Sequence, residues 1–97
     1  MHPRRSAAIA RTFEQLERLV RQLLCSKDRL DPQETPLKCT PLRRRNAICG
    51  VLFVLHGPRR LRSLAIWACE EHRVLCYDSA GTRFAEVHLA EAPLPPA

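Results

Sequence analysis

The longest uncharged apolar run in the chain spans residues 47–55 and predicts a strand. Its β-branched and aromatic residues favour extended backbone, and His56, Gly57 and Pro58 follow it as a stop signal. A half-exposed strand alternates apolar and polar side chains, whereas this run is apolar at both odd and even positions. We therefore expect both faces of this strand to be covered.

Three shorter strand patterns follow the long run, and turn signals separate them. The four predicted strands are residues 45–55, 61–69, 74–77 and 83–89. Asp78 and Gly81 enclose the clearest hairpin signal, because aspartate starts a type I turn and glycine accepts the left-handed position that ends it. Residues 43–89 therefore predict a four-stranded antiparallel meander whose last strand lies at the edge.

An amphipathic helix is predicted from residue 6 to about residue 25. Its apolar positions recur at three- and four-residue steps, the spacing of one helix face. They are Ile9, Phe13, Leu16, Val20, Leu23 and Leu24. Ser6 is the expected N-cap, and the opposite face carries the favourable pairs Glu14–Arg18 and Glu17–Arg21. A rod of this length, about 30 Å, can lie across a small sheet.

The remaining segments contain too much proline for a long helix. Residues 26–42 carry Pro32, Pro36 and Pro41 and predict an extended connector, and residues 90–97 predict a loose proline-rich tail. The 97 residues are enough for one domain with one core. The predicted fold class is α+β, with one N-terminal helix packed on a curved four-stranded antiparallel meander in the order α-β-β-β-β.

One helix can cover only one face of this sheet, so a second apolar face is left. The candidate interface residues are Val51, Phe53 and Trp67, and the opposite parity offers Leu52, Val54 and Ile66. The connector, curling of the sheet or another chain would each cover the second face. We favour a partner chain, and the commonest partner is an identical copy. The leading hypothesis is therefore a small non-enzymatic interaction module that forms a homodimer.

Six arginines and no acidic residue fall within residues 43–62, and the net charge of the chain is +6. The six are Arg43, Arg44, Arg45, Arg59, Arg60 and Arg62. Guanidinium groups bind phosphate well, so nonspecific nucleic-acid or other anion binding is the alternative hypothesis. Coding bias toward arginine explains the same composition without any selected function. The two clusters are expected at opposite ends of one strand, too far apart for a single patch.

No pattern for catalysis is present in the sequence. Cys69, His72 and Cys76 have a spacing that allows a structural metal site at a hairpin, although no C-x-x-C pair supports it. The chain has three glycines and no phosphate loop, and we expect neither a cofactor nor a small-molecule substrate. No apolar run approaches the roughly 20 residues of a membrane span. Cytoplasmic location with reduced thiols is the expectation.

Overall fold

The computed structural model describes residues 4–94, which form one helix and six strands. The elements in chain order are β1 (Arg4–Ile9), α1 (Phe13–Asp28), β2 (Leu37–Arg44), β3 (Ala47–His56), β4 (Arg62–Ala68), β5 (Arg73–Tyr77) and β6 (Arg83–Glu91). A single 3-10 turn, Pro58–Arg60, connects β3 to β4. The predicted α+β class with one helix is confirmed.

All six strands belong to one sheet with the order β1-β6-β5-β4-β3-β2. Strands β2 to β6 form an antiparallel meander, and β1 pairs with β6 in parallel. The prediction of four strands and a purely antiparallel sheet is therefore wrong, because the sheet has six strands and is mixed. Strands β3 to β6 correspond to the four predicted strands, but β6 is not an edge strand because β1 flanks it.

The helix begins later than predicted, at Phe13 instead of residue 6. Its N-cap is Thr12, whose backbone is extended and whose Oγ1 accepts a hydrogen bond of 3.1 Å from the Gln15 N–H. Ser6, the predicted N-cap, lies instead in β1 opposite Val87 of β6. Ile9, which was assigned to the apolar helix stripe, is 55% exposed. The helix continues to Asp28, and Arg29 ends it in the left-handed conformation.

The predicted connector is partly a strand. Its second half forms β2, which pairs with β3 from Leu37 opposite Leu55 to Arg44 opposite Ala47. Proline is tolerated there because β2 is an edge strand, and Pro41 has no N–H that a further strand would need. Since β2 extends the sheet at its edge, this part of the chain does not cover a sheet face.

The core lies between α1 and one face of the sheet. The helix contributes Leu16, Val20 and Leu24, and the sheet contributes alternate residues of its central strands. The Phe13 ring stacks on the Phe53 ring at 6.0 Å between centroids and is tilted to the Trp67 ring at 6.4 Å. These contacts fix the start of the helix over β3 and β4.

Candidate interaction surface

The sheet face opposite α1 is an apolar surface that the helix leaves uncovered, and we call it the open face. The only helix in residues 4–94 packs on the other side of the sheet. The apolar members of the open face are all half-buried, because neighbouring side chains shield one another. They are Leu42, Leu52, Val54, Leu64, Ile66, Ala68, Leu75 and Tyr77.

Strand register aligns these side chains in two rows across the centre of the sheet. One row runs through Leu52, Ile66 and Leu75, which are direct partners on β3, β4 and β5. The second row runs through Val54, Leu64 and Tyr77 on the same three strands. Facing pairs on neighbouring strands lie about 5 Å apart, so each row is a continuous apolar band.

An ion network bounds the open face on the side of β5 and β6. Arg73 donates hydrogen bonds to Glu86 at 2.6 Å and to Glu71 at 3.0 Å, and Arg5 lies 3.3 Å from Glu86. The hydrogen bond from Arg73 lowers the pKa of Glu86, although burial opposes this effect. These residues were not among the predicted site residues. In the last predicted strand, the polar residues Glu86 and His88 alternate with apolar residues, and this alternation is the sequence signal for a polar rim.

The outer edges of the sheet carry cations. On β2, Lys38, Arg43 and Arg44 are exposed, and Pro41 lacks an N–H. On β1, Arg4 and Arg5 are exposed. Charged edge residues and proline are common protection against pairing between sheet edges. Association through the open face therefore meets fewer obstacles than association through an edge.

The three predicted interface residues lie on the helix side of the sheet. Val51, Phe53 and Trp67 are at most 1% exposed, because α1 covers them, and they belong to the core of the single chain. The surface that remains for a partner has the opposite parity. It includes Leu52, Val54 and Ile66, the alternative set in the sequence.

The two arginine clusters lie at opposite ends of β3. Arg43 and Arg44 end β2 and Arg45 occupies the following turn, whereas Arg59 and Arg60 lie in the 3-10 turn after β3 and Arg62 begins β4. Ten residues of β3 separate the two ends by about 30 Å, so one chain does not join the clusters into a single patch. Within residues 4–94, none of the six arginines forms an ion pair with an acidic side chain.

The proposed metal ligands are spread over different surroundings. Cys76 is buried beneath α1 in β5, Cys69 follows β4, and His72 lies in the turn between those strands with a φ of 52°. Burial raises the pKa of Cys76 to about 12, which keeps it a neutral thiol. Across residues 4–94, no three His, Cys, Asp or Glu side chains form a group that could hold a metal ion.

Comparisons of the chain with models of known protein families, with curated proteins and with solved structures found no match. Within the described part of the chain, no helix is long and apolar enough to cross a membrane. The chain's own surfaces are therefore the basis for proposing a function, and the open face is the most distinctive of them.

Proposed function

We propose that this chain is a non-enzymatic interaction module that forms a homodimer through its open face. The observation that supports the proposal is the pair of apolar rows across β3, β4 and β5, on the face that α1 leaves uncovered. Exposed apolar patches of this kind, rimmed by polar residues, are typical of protein interaction sites. The charged rim of Arg73, Glu86 and Lys38 fits that description.

The area of the open face agrees with a two-fold interface. Six strands at about 4.8 Å spacing and seven residues at about 3.3 Å rise give a flat outline of about 670 Å². The relief of the side chains increases the accessible area above this value, toward the roughly 800 Å² per partner of a standard stable interface. A second copy is the occupant with matching shape, because two such faces stack as in a β-sandwich, about 10 Å apart.

Ile66→Lys tests this proposal, because Ile66 is central in one apolar row and half-buried in the single chain. A lysine there can extend its charge into solvent in a monomer but would be desolvated in a dimer. We expect light scattering after size-exclusion chromatography to give twice 11.1 kDa for the wild type and 11.1 kDa for the variant. Gln22→Lys, at an exposed position of α1 on the other side of the sheet, is the matched control and should remain dimeric.

Circular dichroism should show that Ile66→Lys keeps the wild-type fold. A wild type that is monomeric at every concentration would refute the proposal, as would a variant that remains folded and dimeric. A mass that corresponds to a complex with a different co-purified protein would replace the second copy by a heterologous partner.

A second candidate function is nonspecific binding of nucleic acid by the arginine clusters. The specific observation in its favour is that these six side chains have no acidic partner within residues 4–94, whereas Arg11 pairs with Glu91 at 2.6 Å. Arg62 donates hydrogen bonds to the backbone carbonyls of Gly57 and Leu61. A guanidinium group without an acidic partner is available to phosphates, and each phosphate contact releases counterions. This candidate does not require the dimer.

The test is fluorescence anisotropy with a labelled oligonucleotide from about 50 to about 300 mM salt. For single strands the logarithm of the affinity should fall with the logarithm of the salt concentration, by about 0.7 per phosphate contact. Combined replacement of Arg43, Arg44 and Arg45 by alanine should reduce this slope by about 2. Arg11→Ala should leave it unchanged. Binding that is absent, or that the Arg11 variant weakens equally, would exclude this function.

A further inference from the structure

Two of the five cysteines lie opposite each other on neighbouring strands. The pairing of β3 with β4 extends to Gly50 opposite Ala68, and the Cys69 N–H donates to the Cys49 carbonyl at 3.0 Å. This hydrogen bond extends the antiparallel ladder by one residue, so Cys49 faces Cys69. Facing residues of antiparallel strands have Cα atoms about 4.5–5.5 Å apart, within the range of about 4.4–6.8 Å that disulfides span.

The local backbone leaves room for adjustment at both positions. The register between β2 and β3 shifts between Leu42 and Arg43, which makes Cys49 the extra residue of a bulge. Its Sγ–H donates to the Leu42 carbonyl at 3.4 Å. Cys69 follows the end of β4 and begins the turn to β5. Neither cysteine therefore has regular backbone pairing with strands on both sides.

Accessibility separates this pair from the buried thiols. Cys49 and Cys69 are half-buried, whereas Cys25 and Cys76 are buried in the core. Burial raises the pKa of Cys69, and the negative charge of a Cys49 thiolate raises it further. The Cys49 sulfur is therefore close enough to Cys69 to affect it electrostatically, which agrees with their facing positions.

We propose that Cys49 and Cys69 form a reversible intrachain disulfide in exchange with a small-molecule disulfide such as oxidised glutathione. One thiol loses its proton and attacks glutathione disulfide, which gives a mixed disulfide and releases one glutathione. The second thiol loses its proton and attacks the protein sulfur of the mixed disulfide, which forms the Cys49–Cys69 bond and releases the second glutathione. The two protein thiols are oxidised by two electrons, and one glutathione disulfide is reduced to two thiols.

The bridge would close the β3–β4 hairpin at the end that adjoins the Arg43–Arg45 turn. Because Cys49 loses its hydrogen on oxidation, its hydrogen bond to the Leu42 carbonyl is lost at the same time. The modification site is thus placed where β2, β3 and β4 meet. It does not depend on the proposed self-association.

The test is equilibration of the reduced full-length protein with glutathione buffers of increasing oxidised fraction at about pH 8, near the ordinary thiol pKa. The samples are quenched with acid, alkylated and digested with trypsin. Each cysteine then lies in its own tryptic peptide, because arginine or lysine separates all five. We expect a linked pair of peptides, residues 46–59 with residues 63–73, and an intact mass lower by about 2 Da.

The wild-type digest alone decides the proposal, so it does not depend on a variant that folds. Cys39→Ser should keep the linked pair, whereas Cys49→Ser and Cys69→Ser should each abolish it. Three results would overturn the proposal. They are glutathione on either cysteine without a linked pair, a disulfide to the peptide 39–43 instead, and a disulfide between two chains on a non-reducing gel. Thiols that remain free at the most oxidising ratio would also overturn it.

Discussion

Gly50 lies in the middle of β3, and the structure explains why a side chain is excluded there. A Cβ built at this position would lie 2.4 Å from the backbone carbonyl oxygen of Trp67 on β4. Contacts of real Cβ atoms essentially never fall below 3.0 Å, so the two strands would have to separate by at least 0.6 Å. The obstacle is backbone instead of a flexible side chain, and it cannot rotate away.

We therefore expect Gly50→Ala to destabilise the fold. Forced overpacking costs about 1–3 kcal/mol, and the reduced entropy of the unfolded alanine chain offsets about 0.4–1 kcal/mol of that. The middle of the resulting range, a net loss of about 1.3 kcal/mol, corresponds to a decrease in Tm of about 5–10 °C for a domain of this size. Thermal and urea unfolding followed by circular dichroism measure it.

Gly57→Ala is the matched control, because the nearest atom to its added Cβ is Leu30 Cδ1 at 3.1 Å, the end of a flexible side chain. Its Tm should change by less than half as much as that of Gly50→Ala. Equal stability of Gly50→Ala and the wild type would show that β3 and β4 do not approach each other as closely as described.

Two further predictions concern the helix start and the ion network. Thr12→Ala removes the N-cap hydrogen bond to Gln15 and should cost about 1 kcal/mol, a decrease in Tm of about 4–8 °C, whereas Thr40→Ala on the exposed edge strand should change little. The pKa of Glu86 is lowered in the folded state. The ionised carboxylate therefore stabilises the fold above its ordinary pKa of 4.5, and this stabilisation is lost as the pH falls through the lowered pKa. Denaturant unfolding should therefore show Glu86→Gln less stable than the wild type at neutral pH and equally stable in acid, and a difference that persists in acid would contradict this.

The strands that local patterns identified are those whose partners are close in sequence. Strands β3 to β6 follow one another through short turns, and the apolar pattern and the Asp78–Gly81 hairpin signal locate them directly. The parallel strand β1 was missed because its partner β6 is about 80 residues away in the chain. Ile9 also matched the stripe of the helix by spacing alone, so a local periodicity argument extended the helix through a strand.

Strand β2 shows a different reason for an incomplete prediction. Pro41 argues against a central strand but is compatible with an edge strand, and only the sheet order distinguishes the two cases. The alternation of Leu37 and Cys39 with Lys38 and Thr40 was the signal for this strand. For the open face, the sequence showed that both the odd and the even positions of the central strands are apolar. Which parity the helix covers depends on tertiary packing, and the packing of Phe13 on Phe53 decides it.

Salt concentration distinguishes the two proposed functions, because their groups occupy different parts of the sheet. The centre of the open face is apolar, and the cations lie on its edges and at the ends of β3. Two copies with a net charge of +6 each repel one another, and a Debye length of about 8 Å at physiological salt screens most of this repulsion. Added salt should therefore leave the homodimer unchanged or strengthen it, while it weakens binding of a nucleic acid to the arginines. Association that salt disrupts would thus indicate the arginine clusters and not the apolar rows.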